Sequence, residues 1–270
     1  MASRPQALNG NSAWGQRYAG QVRRIVTNHA MRAPRQVQVH LGPSELGVEC
    51  DLQVVMKLLG FPNTNHVVDP WPSIVGTAVH AWLADAFSSY NHLVGQLRFV
   101  AEQRVVPFPE HTDSQGHAGT ADLYDALELA VVDHKILGET SMAKVRRDPP
   151  RKYKAQLLLY ALGYRRLGLP VNRVALVAYP RTTSTLNGLY VWDRPSSAAD
   201  DELISEVLED TVRRKQLVTD IRTGRTTLAK VTRQPDDDEC YFCPFYRPEV
   251  AKQPGLPGCP GTAQALNSVL

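Results

Sequence analysis

The chain has 270 residues, 30 Lys+Arg against 27 Asp+Glu and a net charge of +3, with 43% hydrophobic and 21% charged residues. That balance excludes wholesale disorder, collagen and coiled coil, and no apolar run approaches the roughly 18 residues of a membrane span. No apolar signal-type segment opens the chain, so a cytoplasmic setting is expected. The length suits one large domain or a domain with an appended small module.

Residues 1–40 form a basic extension, with Arg4, Arg17, Arg23, Arg24, Arg32 and Arg35 and no acidic residue. Leu41-Gly-Pro-Ser44 is a turn from which Pro43 or Ser44 opens a helix. This helix is expected to run through Leu46, Val54, Val55 and Leu58, with Cys50 in its middle, until Gly60-Phe-Pro62 ends it. A loop with Pro62, Pro70 and Pro72 follows. Gly76–Phe87 then carries Ala78, Trp82, Leu83, Ala86 and Phe87 at helical spacing. Phe99–Val106 alternates as a strand does, and Gly119–Leu127 with Leu129–Ile136 is a hairpin pattern.

Asp148-Pro-Pro150 precedes an amphipathic helix over Arg151–Leu167, which Gly168 and Pro170 terminate. Arg173–Tyr179 reads as a buried strand. Ser196–Val218 reads as a helix whose acidic start and basic end complement its dipole. The tail after Gly224 holds Pro, Gly and three of the four cysteines. The pattern predicts an α/β fold, a mixed sheet flanked by helices. It divides into the extension 1–40, a core over 41–235 and a cysteine-bearing segment over 236–270 that includes Cys50 from upstream.

Asp122, Asp133 and Lys135 are the most informative group. Residues two apart on a strand share a face, so Asp133 and Lys135 project together, and a hairpin brings Asp122 beside them. Converging carboxylates repel unless a hard divalent cation, Mg²⁺ or Mn²⁺, neutralises them. Such an ion can activate water and polarise a phosphoryl oxygen, with Lys135 placed to stabilise the developing charge. D-x-K alone is also what a surface ion pair looks like. The apolar run Leu129–Val132 leading into Asp133 favours a buried strand end instead.

Residues 140–173 hold Lys144, Arg146, Arg147, Arg151, Lys152, Lys154, Arg165, Arg166 and Arg173 against Asp148 alone. A polyanion such as DNA suits that excess, and so does a solvated face. Tyr153, Tyr160 and Tyr164 are candidates for stacking on unpaired bases, while Trp82 is expected to pack in the core. Cys240-Tyr-Phe-Cys243, Cys259 and Cys50 supply four thiols. Without a sign of export they point to a metal centre, either zinc or iron–sulfur, which spacing alone does not separate.

In order along the chain stand Gly76-Thr-Ala-Val-His80, Glu102, Gly119-Thr-Ala-Asp122, Asp133-His-Lys135 and Gln156-Leu-Leu-Leu-Tyr160. This ordered set resembles the PD-(D/E)xK nuclease superfamily, in its RecB/AddB-like branch, which includes the CRISPR-associated spacer-processing exonucleases. The resemblance covers residues 41–260. It implies a restriction-endonuclease-like core, with metal ligation by His80, Asp122, Asp133 and the backbone carbonyl of His134. It makes Lys135 the catalytic lysine and gives Gln156 and Tyr160 a role supporting the site and the DNA path. Glu102 reads equally as a metal-side acid and as an exposed acid before Arg104. The resemblance also implies that Cys50, Cys240, Cys243 and Cys259 hold a [4Fe–4S] cluster rather than zinc. Such a cluster would close a very long loop between the two ends of the core.

The implied activity is a metal-dependent DNA exonuclease acting on single-stranded or frayed ends, in bacterial or phage repair, recombination or replication. Its implied partners are DNA and a helicase or recombination complex, and no membrane. The alternative is a catalytically silent DNA-binding or assembly subunit of a recombination or spacer-acquisition complex.

Overall fold

The computed structural model describes residues 13–31, 40–65, 69–197, 199–234, 237–253 and 256–261. Arg4, Arg32, Arg35 and Asp236 lie outside the described residues. Helix α1 (Ala13–Met31) turns Trp14, Tyr18, Val22 and Ile25 to solvent. No described helix is long and apolar enough to cross a membrane.

The single helix expected after Leu41 is two. Helix α2 (Pro43–Leu46) stops at Gly47, and α3 (Asp51–Leu58) starts afresh with Cys50 as its N-cap, not in a helix middle. Packing explains the break. A Cβ on Gly47 would lie 2.6 Å from the Ala155 Cβ and 2.9 Å from the Lys152 Cα, so the chain crosses a neighbouring helix here at backbone contact.

Helix α4 (Trp71–Val94) starts earlier than its apolar spacing suggests, because Pro72 sits in its first turn, where a missing N–H costs nothing. Strand β1 (Phe99–Val105), strand β2 (Gly119–Asp125) and strand β3 (Ala130–Leu137) follow, each pair antiparallel. The β2–β3 turn is tied by Asp125, whose Oδ1 accepts from the backbone N–H groups of Leu127 and Glu128. Arg98 clamps the same carboxylate from the side.

Helices α5 (Glu139–Arg147) and α6 (Arg151–Arg166) cross to strand β4 (Arg173–Pro180), which pairs parallel with β3. A parallel pair needs such a crossover. Strand β5 (Tyr190–Pro195) closes the edge antiparallel to β4, giving a five-stranded mixed sheet in the order β1-β2-β3-β4-β5. Helix α7 (Ala199–Arg222) and the short α8 (Asp237–Phe242) complete the described elements used below. The expected mixed sheet flanked by helices is present. The short α8 had no sequence expectation, and neither did α5 and β5. Helix α5 is a short basic segment with only Met142 and Val145 buried. Strand β5 is an edge strand whose residues are exposed or half-buried, so neither of these two carries a strong apolar period.

Helix α6 is present as expected but is more deeply buried than an amphipathic helix need be. Ala155 to Ala161, Gly163 and Tyr164 are all buried, packed with Val131, Val174 and Leu176 of the sheet. A helix apolar nearly all round is a central one. Gly163 lets it approach β1, because a Cβ there would stand 2.6 Å from the Val105 Cβ. Gly163→Ala should therefore lose about 1 kcal/mol or more of stability in urea denaturation, since overpacking outweighs the gain of about 1 kcal/mol in helix propensity.

A second, smaller core forms where Leu52, Val55 and Met56 of α3 meet Val218 of α7, Val231 and Phe245, with Cys50, Cys243 and Cys259 at its edge.

Candidate active site

The hairpin register decides which acids meet. Ala101 pairs with Leu123 and Gln103 with Ala121, so Glu102 and Asp122 face each other between those pairs. Like charges directly opposite on neighbouring strands destabilise a sheet. Glu102 also has φ +51, the left-handed region that a non-glycine residue rarely enters inside a strand. Strain of this kind persists where surroundings over-determine it, typically at functional sites. His80 on α4 completes the group. One ligand atom each of His80, Glu102 and Asp122 lie within 4.8 Å of one another.

Asp122 is held firmly. Its Oδ2 accepts a 2.6 Å hydrogen bond from the His134 backbone N–H, and its Oδ1 lies 3.4 Å from the His80 Nδ1. Burial pushes its carboxyl up. The His80 bond, the Lys135 charge and the His134 N–H outweigh burial and hold it below the usual carboxylate range. The same His80–Asp122 bond raises the His80 imidazole above its ordinary value.

Asp133 lies behind this group, wholly buried on β3. The Lys135 Nζ is 2.6 Å from its Oδ2, a buried ion pair, and no other donor among the described residues reaches either carboxylate oxygen. Burial pushes this carboxyl up to about 6; Lys135 opposes the rise and Asp122 adds to it. For Lys135, burial works against the charge, yet the Asp133 and Asp122 carboxylates prevail and hold the ammonium above its ordinary value. A carboxylate at full burial is expensive alone; the Lys135 ammonium offsets that cost here, and a divalent ion in front of the pair would add to it.

Gln156 and Tyr160 on α6 are drawn into the site as a relay. The Lys135 Nζ donates to the Gln156 Oε1 at 3.0 Å, and the Gln156 Nε2 donates to the Tyr160 hydroxyl at 3.1 Å. Gly119, which opens β2 three positions before Asp122, is glycine for packing. A Cβ there would meet the Pro43 Cδ at 2.6 Å and the Tyr160 ring at 3.2 Å. The His134 imidazole is buried, stacks on Phe87 and is lowered to about 4 by burial. Its side chain is a neutral wall of the site.

Several aromatic and basic expectations change. Trp82 is 67% exposed rather than core, because it points away from the sheet on the outer face of α4. Tyr164 and Tyr160 are buried in the α6 core and present no open ring face for a base. The basic run over 140–173 is not one bare surface. Arg151 pairs with Glu206 and Asp210, Lys152 with Glu239, Lys154 with Asp148, Arg165 with Asp200, Arg166 with Glu110 and Arg173 with Asp193. The acids come from α7 and other distant segments, which a local charge tally does not register.

The four cysteines line one cavity, although Cys50 and the others come from opposite ends of the core. Cys259 reaches it through a built turn. Its N–H donates to the Phe245 carbonyl at 2.7 Å, and its carbonyl accepts from Arg247 at 2.7 Å. Gly258 before it has φ +131, and a Cβ there would stand 2.8 Å from the Arg247 Cβ. Burial pushes the Cys243 thiol up to about 12, with the facing thiols of Cys259, Cys50 and Cys240 adding to the shift. Four facing thiols are a donor set for a soft metal centre, whose charge would offset their mutual repulsion on ionisation.

No family model and no curated protein sequence matches the chain. Among solved structures, the alkaline exonuclease LHK-Exo from Laribacter hongkongensis is similar, with a TM-score of 0.46 and 11% identity over 70% of this chain and 94% of that one. A likeness at this level assigns neither chemistry nor substrate to the chain.

Proposed function

We propose that the protein is a divalent-metal-dependent DNA exonuclease of the RecB/AddB-like kind, hydrolysing phosphodiesters at single-stranded or frayed ends. The observation that carries this reading is the convergence of His80, Glu102 and Asp122 in front of a buried Asp133–Lys135 pair. His80, Glu102 and Asp122 would hold a Mg²⁺ or Mn²⁺ ion, with Asp133 and the backbone carbonyl of His134 behind them. When bound, the ion supplies activation of water and polarisation of the phosphoryl group. The chain's own contribution is positioning. Lys135 presents a retained positive charge to the phosphate oxygens, and Gln156, tied to Tyr160, fixes where that ammonium sits. The His134 N–H locks the Asp122 carboxylate toward His80.

Cys50, Cys240, Cys243 and Cys259 would hold a [4Fe–4S] cluster as a structural staple. It joins the start of α3 to the tail and closes a very long loop.

Digestion of end-labelled single-stranded DNA tests the reading. Stepwise loss of label is expected with Mg²⁺ or Mn²⁺ and none with chelator. Protein purified without oxygen is expected to be brown, and Cys259→Ser to lose iron, visible absorbance and thermal stability together. DNA binding with no metal-dependent loss of substrate would make the chain a silent binding subunit instead.

A further inference from the structure

A groove of about 320 Å³ runs beside the reacting centre, lined by Lys135, Gln156, Lys152 and Tyr153 on one side and by Glu239 and Phe242 of α8 on the other. It is therefore shared by the catalytic lysine and the C-x-x-C segment, since Phe242 directly precedes Cys243. Its volume is at the lower end of small-ligand clefts, about 300–1,000 Å³, and far too small for a duplex.

The aromatic faces in it are unequal. Tyr153 carries the ammonium of Lys135 at 5.1 Å and that of Lys152 at 5.5 Å from its ring centroid, so its ring is already engaged. Phe242 is 57% exposed, and its ring meets Tyr241 edge-on rather than by stacking. An apolar ring held open in a polar groove offers a stacking platform.

The cation is equally poised. Lys152 is paired with Glu239 at 2.6 Å across the groove, with both side chains partly exposed. Such a pair contributes at most about 1 kcal/mol, so a phosphate can displace the carboxylate at little cost. Glu239 then acts as a stand-in for the substrate's own charge.

We infer that this groove binds one unpaired nucleotide next to the scissile phosphate, with its base on Phe242 and its phosphate on Lys152 in place of Glu239. The inference rests on the nuclease reading and specifies its substrate as a strand that is single at this point.

The test is the affinity of the cluster-loaded protein for a fluorescent oligo-dT, with Ca²⁺ replacing Mg²⁺, across a salt series. Phe242→Ala is expected to weaken binding by roughly 5- to 100-fold without changing the salt dependence, the size of one lost stacking contact. Lys152→Ala is expected to lower the slope of log affinity against log salt by about 0.7, one phosphate contact on a single strand. Glu239→Gln is expected to tighten binding several-fold, which a merely structural ion pair would not do. Wild-type affinity in both Phe242→Ala and Glu239→Gln, or weaker binding in Glu239→Gln, overturns the inference. Visible absorbance measured on each variant separates a lost contact from a lost cluster, and Glu239→Gln keeps the test decisive if Phe242→Ala sheds iron. A parallel digestion with Mg²⁺ distinguishes the two readings. Absence of wild-type turnover sinks the nuclease assignment, whereas turnover with unaltered variant affinities sinks the groove alone.

Discussion

Asp122→Asn is expected to remove about 4 kcal/mol of transition-state stabilisation, roughly a thousand-fold in turnover, while leaving the fold in place. The asymmetry follows from what each oxygen does. Oδ2 accepts from the His134 N–H and helps hold β2 to β3, a task an amide oxygen also performs. Oδ1 faces His80 in the candidate metal group, where loss of the negative charge removes a ligand. Without the ion, the substitution relieves repulsion from Glu102 and Asp133 but gives up the net attraction of His80 and Lys135 that holds the Asp122 carboxyl below its usual range, so a modest loss of stability is expected. Thermal denaturation supplies a readout apart from activity. Mn²⁺ should raise the melting temperature of the wild type, because it binds only the folded site, and should leave the variant unmoved. Wild-type turnover together with an intact Mn²⁺ response in the variant would exclude Asp122 from the site.

Arg214→Met is expected to cost about 2–3 kcal/mol of stability, a large share of the margin of an ordinary domain. Arg214 is 1% exposed, midway along α7. Its Nε donates to the Asp51 Oδ1 at 2.8 Å and its Nη2 to the Val48 carbonyl at 2.7 Å. Removing it takes one donor from Asp51 and strands the buried Val48 carbonyl. Arg213 also grips both Asp51 oxygens, at 2.5 and 2.9 Å, and so keeps that carboxylate paired, but Arg214 alone supplies the Val48 carbonyl. Arg214→Lys keeps the charge but cannot fork between a carboxylate and a carbonyl, and should recover only part of the loss. Urea midpoints of the two variants measure this directly. Because Asp51 follows Cys50, the same change should loosen one corner of the cysteine cavity.

The two kinds of residue differ in how far they were legible. Asp122, Asp133 and Lys135 could be read from the chain because strand period and a short hairpin are local rules. Glu102 could not, because its meaning depends on which residue of β2 stands opposite it. Trp82 shows the same limit on a helix: its spacing marks the apolar stripe but not which edge of that stripe reaches the sheet. Local pattern carries a helix through Cys50, because a single glycine such as Gly47 is tolerated inside an apolar helical period. What breaks it there is the backbone of α6, distant in sequence. The basic run over 140–173 lost its apparent bareness for a related cause, since its partners lie on α7, α8 and β5.

Local chemistry thus determined the class of fold, the hairpin acids with their lysine, and the four thiols. Short-range periodicity and residue type suffice for these, because each depends on neighbours within a few positions. Only the folded chain decided that Glu102 joins His80, that Asp133 is fully buried against Lys135, that four cysteines share a cavity, and that Phe242 opens beside Lys135. Each of those depends on a meeting of segments far apart in sequence, and sheet register and helix approach, set by side-chain volumes in the core, choose among the meetings that local pattern leaves open.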